Sequence, residues 1–179
     1  MCGRFTLRTP AHILARHFDL GDVTEWQLGL RYNIAPTQDV AVVRQTESGR
    51  ELARMRWGLV PAWASDPKIG PPMINARSET AAEKPAFRAA LRSRRCLVPA
   101  DGFFEWKTEG KQKQPYYIRR PDEGLFAFAG LWERWQGIES CTILTTSANR
   151  LLQPLHDRMP VILAPGDYAP WLDPSVNDP

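Results

Sequence analysis

Sixteen prolines, placed from Pro10 to Pro179 without forming a tract, cap the length of every element this chain can build. Proline lacks the N–H that helix and sheet interiors need, and its ring clashes with the preceding turn of a helix. Short elements must therefore carry the fold. Thr9-Pro10, followed by Ile13, Leu14 and Phe18, predicts a helix that ends near Gly21. Strands are predicted over Asp39–Thr46 and Glu51–Leu59, joined across Glu47-Ser48-Gly49. In the second, Met55, Trp57 and Leu59 alternate with Arg54, Arg56 and Gly58. Glu79–Arg95 reads as largely helical, with Pro85 starting a new helix or bending one. Further strands are expected over Cys96–Ala100, Phe103–Lys107, Tyr116–Arg119, Leu125–Ala129, Cys141–Thr146 and Val161–Leu163, and a short helix over Ala148–Gln153. Strands outnumber helices and the links have hairpin length. The pattern predicts an α+β fold with a mainly antiparallel, curved or barrel-like sheet and several flanking helices.

A length of 179 residues, with no repeat or linker, suits a single domain over 1–179 with a sizeable core. No apolar run is long enough for a signal peptide or a membrane span. Cys2, Cys96 and Cys141 are few, odd in number and far apart, which argues against a disulfide framework or a metal site. The chain reads as cytoplasmic, with no membrane partner. Net charge is only +3, but 18 arginines stand against 5 lysines. Arginine grips phosphate with a planar fork, although a GC-rich genome gives the same bias. The seven tryptophans suit either a core or platforms for unpaired bases.

Four places carry polar groups of chemical interest. Cys2 follows the initiator Met1, and trimming of that methionine would leave a thiol and a free α-amine on adjacent carbons. Their ordinary pKa values are about 8.5 and about 7.7–8.0, so both nucleophiles are partly available at neutral pH. The amine can form a Schiff base with an aldehyde, and the thiol can close a thiazolidine ring on it. A frayed terminus is the alternative. In Met73–Glu79, an extended backbone points Asn75 and Arg77 to one face, suited to a phosphate or to fixing a nucleophile. A turn leading into a helix capped by Ser78 explains the segment equally well. Glu105 lies among aromatics in Gly102-Phe103-Phe104-Glu105-Trp106, where a buried carboxyl suits general acid–base work, or a salt bridge. His156 precedes Asp157-Arg158-Met159-Pro160, and Pro160 keeps Met159 out of the helical region, so His156 belongs to a loop before an apolar strand. His12 and His17 read as surface or packing residues.

Together, Met1-Cys2-Gly3-Arg4, Asn75-Ala76-Arg77-Ser78-Glu79-Thr80, Gly102–Trp106 and His156–Pro160 closely resemble the SOS-response-associated peptidase family of abasic-site-processing proteins. Arg31-Tyr32-Asn33-Ile34-Ala35-Pro36-Thr37, Trp57–Trp63 and Leu144–Asn149 extend the resemblance, which runs to about residue 172. It implies that mature Cys2 captures the ring-opened aldehyde of an abasic site in single-stranded DNA as a thiazolidine cross-link. Asn75 would orient the amine and the sugar, while Glu105 and His156 would move protons. Arg4, Arg77 and Arg158 would hold flanking phosphates, and Pro36, Trp57 and Trp63 would shape the channel or stack bases. No cofactor or metal is expected, and the protein is expected to act as a monomer, with lyase and autopeptidase activity as further expectations. Phe104 replaces the family's usual tyrosine, and the chain ends at Pro179, short of the C-terminal stretch most members carry. Two other readings compete: a cysteine peptidase using Cys2 and His156, and a non-catalytic module that binds single-stranded nucleic acid through arginine and tryptophan.

Overall fold

In the computed structural model, residues 2–67 and 71–176 are described. Met1, whose removal the amine chemistry requires, and the chain end at Pro179 lie outside them. In chain order the elements are β1 (Arg4–Leu7), α1 (Ala11–Phe18), β2 (Arg31–Ile34), β3 (Asp39–Thr46), β4 (Gly49–Trp57), β5 (Asn75–Arg77), α2 (Ser78–Ala81), α3 (Arg88–Ser93), β6 (Arg95–Ala100), β7 (Gly102–Glu109), β8 (Gln112–Ile118), β9 (Phe126–Trp135), β10 (Ile138–Ser147), β11 (Arg158–Pro160), β12 (Ile162–Leu163) and α4 (Tyr168–Leu172). The molecule is mostly β, with a few short helices.

Two sheets form. The smaller has the order β2-β1-β7-β8, all antiparallel. In the larger, β10, β4, β3, β6 and β9 pair in sequence and β9 pairs back to β10, so the strands close into a ring. Most of its pairings are antiparallel, but β10 runs parallel to both β4 and β5. Closure removes the open edges that otherwise invite aggregation.

Aromatic contacts join the two sheets. Phe5 of β1 stands edge-on to Trp57, 5.1 Å between ring centres, and to Phe128 at 5.8 Å; Phe103 of β7 meets Phe128 at 5.8 Å. All four rings are fully buried. Edge-to-face pairs of this kind add about 0.5–1.5 kcal/mol each beyond the burial of their area.

Two helical expectations change. Glu79–Arg95 is two short helices separated by an irregular stretch around Pro85, and Arg95 opens strand β6. Arg95 is buried, and its guanidinium donates to the carbonyls of Leu91, Trp171 and Asp173. It thereby occupies carbonyls at the C-terminal ends of α3 and α4, where cations are favoured. In place of a helix over Ala148–Gln153, consecutive turns run over 150–155. Asn149 Oδ1 accepts from the N–H groups of Leu151 and Leu152, and Pro154 offers no donor to extend the pattern.

Candidate active site

Strand β1 places the first described residue in the interior. It is fastened on both faces. Phe5 and Leu7 enter the core, while Thr6 is buried and donates to Asp101 Oδ1. Asp101, also buried, accepts from the backbone N–H of Arg8 and from Thr9 Oγ1, and pairs with the Arg8 side chain at 3.3 Å. The Tyr117 hydroxyl completes this cluster 2.9 Å from Thr6 Oγ1. Tyr117, the cross-strand partner of Phe104, lays its ring over Gly102, where an added Cβ would collide with the hydroxyl and ring. Only glycine leaves room for that ring.

Cys2, the residue two before Phe5's neighbour Arg4, is fully buried. Asn75 Nδ2 donates to its carbonyl at 3.0 Å, which ties β5 to the N-terminal segment. Asn75 Oδ1 is buried with no hydrogen-bond partner among the described residues, so an acceptor beside Cys2 stands ready for a donor. Burial, reinforced by the negative charge of Glu105, pushes the Cys2 thiol far above the usual thiol range. Glu105 is itself buried on β7. It lines an open cavity of about 500 Å³ with Gly3, Arg4, Trp106, Lys113 and His156. The three segments singled out by sequence thus converge on the start of the chain.

His156 lines the cavity with its side chain about one-third exposed. Its Nδ1 accepts from the backbone N–H of Arg158 at 2.9 Å and also lies 2.8 Å from Asp157 Oδ1. One nitrogen cannot serve both. The neutral ring with its proton on Nε2 keeps the Arg158 bond, whereas a proton on Nδ1 favours Asp157. Whether Nδ1 carries the proton therefore decides which of the two it bonds.

The family model described as SOS response associated peptidase (SRAP) matches residues 1–179. The chain belongs to this family. It is 45% identical over 186 residues to the abasic site processing protein YoqW of Bacillus subtilis, covering all of this chain and 83% of that protein. It is 33% identical to the abasic site processing protein YedK of Escherichia coli, covering 99% and 82%. A crystal structure of a protein from Bacteroides thetaiotaomicron superposes with a TM-score of 0.88 at 31% identity, covering 99% of this chain and 83% of that one.

Within this SRAP domain the remaining predicted site residues divide by exposure. Arg4 is half-buried, lines the cavity and donates to Asn33 Oδ1 at 3.1 Å. Arg77 is exposed, and Ala76 between it and Asn75 is buried, so Asn75 and Arg77 do share a face. Arg158 is buried and forks onto both carboxylate oxygens of Glu79 at 2.7 and 2.8 Å, with a further bond to the Thr145 carbonyl. Its guanidinium is committed within the protein. Trp57 is fully buried and donates to the Ile74 carbonyl. Pro36 is half-buried in a turn whose Thr37 N–H reaches the Trp57 carbonyl, and Trp63 is 61% exposed. Trp106, Thr108 and Lys113 line the cavity without having been singled out. Lys113 enters through the β7–β8 register, which pairs it with Thr108, and no local motif marks it. Among the described residues no group of three metal-ligating side chains is close enough to hold an ion, and no helix is long and apolar enough to cross a membrane.

Proposed function

We propose that this SRAP protein processes abasic sites in single-stranded DNA by covalent capture at Cys2. One observation carries the reading: a buried N-terminal cysteine, held by Asn75, adjoins a cavity lined by Glu105 and His156. Relatives named abasic site processing proteins support the substrate. Removal of Met1 frees the α-amine of Cys2, and that amine adds to the ring-opened aldehyde. Loss of water, with a proton supplied by His156 or Glu105 to the departing hydroxyl, gives the imine. The Cys2 sulfur then adds to the imine carbon while its proton passes to the imine nitrogen. Aldehyde and aminothiol yield thiazolidine and one water, so no oxidant or reductant enters. Asn75 Oδ1 is placed to accept from the amine or a sugar hydroxyl. Arg4 and Arg77 offer their guanidinium groups to phosphates. Arg158 contributes by fixing Glu79 and the backbone that faces His156.

The state of the thiol separates this from a cysteine peptidase. A peptidase depends on a lowered thiol pKa and a standing thiolate. Here burial and Glu105 hold the Cys2 thiol neutral. A nucleophile that waits for an imine suits that condition, because the amine can begin the reaction.

The test is a denaturing gel of the protein with abasic single-stranded DNA. Wild type is expected to give a denaturation-resistant adduct. Cys2→Ser should give none unless borohydride traps the imine. A reductant-free adduct from Cys2→Ser equal to wild type, or a cross-linked protein whose intact mass retains Met1, would sink the mechanism.

A further inference from the structure

Beyond the catalytic cavity, a second recess of about 360 Å³ opens between β8 and the turns at 149–155, lined chiefly by Tyr116, Tyr117, Leu151, Leu152 and Leu155. We propose that it is a base-stacking subsite for one nucleotide flanking the lesion, with Tyr116 and Leu151 as its walls. This rests on the abasic-site reading and extends it to the neighbouring residue of the same strand.

Two adjacencies join the recess to the chemistry. Tyr116 is the direct cross-strand partner of Glu105, so the two side chains emerge on one face of the smaller sheet. Leu155 immediately precedes His156, which lines the catalytic cavity. Strand β8 itself runs through both spaces, with Lys113 in the first and Tyr116 in the second. A strand leaving the catalytic cavity along β8 reaches the recess within a few residues.

The walls suit a planar base. Leu151 is 76% exposed and Tyr116 is 40% exposed, large apolar surfaces left open to solvent. The turn carrying Leu151 is not slack, because Asn149 Oδ1 accepts from the backbone N–H groups of both Leu151 and Leu152. An apolar side chain held out by a capped turn is prepared to receive a partner. Lys113 on the cavity side and Arg119 on the far side supply cations at either end, Arg119 sharing its charge with Glu123 at 3.0 Å. Apolar walls between two cations match a base between two phosphates. An abasic nucleotide offers no base of its own, so stacking affinity must come from its neighbours.

The experiment measures affinity for short single-stranded oligonucleotides carrying a tetrahydrofuran analogue at the lesion, which lacks an aldehyde and so separates binding from capture. Leu151→Ser and Tyr116→Ala are each expected to weaken binding about tenfold, the size supplied by stacking one base. Tyr116→Phe, which keeps the ring, should bind like wild type. Placing a second tetrahydrofuran on one side of the first should cost wild type the same amount, and the variants should then lose nothing more. Equal losses with and without the neighbouring base, or no loss in either variant, would overturn the subsite. Adduct formation by wild type on abasic DNA reports separately on the parent reading, so either can fail alone.

Discussion

A carboxylate beside a thiol restrains the thiol and also offers it a base, and the pairing of Glu105 with Cys2 makes both effects matter. In the proposed capture the buried, protonated thiol must release its proton as sulfur bonds, and a neighbouring carboxylate can relay it to the imine nitrogen. Imine formation needs the reverse, a donor to the departing water. Glu105 and His156 line the same cavity and can divide these tasks. Glu105→Gln and His156→Ala are therefore expected to slow single-turnover cross-linking by about 10²–10⁴-fold, the range typical of lost proton transfer. Affinity for a tetrahydrofuran-containing strand should change far less. Equal losses of rate and affinity would make the two residues structural.

At the scale of elements, the Glu79–Arg158 fork bonds α2 to β11, the strand that follows His156. Glu79 is held down to about 2, first by its hydrogen bonds from Arg158. A carboxylate lowered in this way stabilises the fold above its unfolded value of about 4.3. That contribution fades as pH falls toward about 2. Melting curves should show Glu79→Gln less stable than wild type at neutral pH, with the gap closing between about pH 4.3 and 2. Glu79 is half-exposed, and solvent screening keeps the pair near the about 0–1 kcal/mol of exposed ion pairs. A gap that persists at pH 2 would assign the effect to packing. This fork was not legible in the sequence, because its partners stand 79 residues apart in two separate blocks and nothing local pairs one with the other. Strands β3, β4 and β6 were legible, since apolar alternation or apolar runs bounded by turn residues mark them. β1, β2 and β5 are three or four residues long and carry polar side chains, so their strand character comes from neighbours. Cys2, Asn75, Glu105 and His156 stood out by residue type and context, yet their convergence depends on β5 pairing with β10 and β1 with β7. Ala148–Gln153 read as helix because its composition permits one, and Asn149 and Pro154 decide otherwise.

For the whole molecule, the closed ring and the smaller sheet fix how a substrate can approach. Cys2 is fully buried next to Gly3, which lines the cavity, and the chain that follows is anchored through Phe5, Thr6 and the Asp101 cluster. In the proposed capture the lesion comes to Cys2, because β1 is held between β2 and β7. Single-stranded DNA can bend its sugar into the cavity at little cost. A continuous duplex must first extrude the nucleotide, which costs a few kcal/mol, and it keeps the opposite strand against the rim. Abasic single strands should accordingly cross-link much faster than the same lesion within a duplex. Matched oligonucleotides in single-turnover assays decide this, and a duplex preference would overturn the approach even if the Cys2 chemistry survived. The cations sharpen the expectation. Arg4 lines the cavity and Arg77 is exposed, so alanine at either should weaken binding without sequence preference and reduce the salt slope by about one phosphate contact. Arg158 differs, because its guanidinium is spent on Glu79 and Thr145. Arg158→Ala should leave Glu79 unpaired and loosen the backbone facing His156. It should lower the melting temperature and the cross-linking rate while leaving the salt slope close to wild type. A slope change at Arg158 as large as that at Arg77 would put its guanidinium on the DNA and the Glu79 pair in an unliganded state.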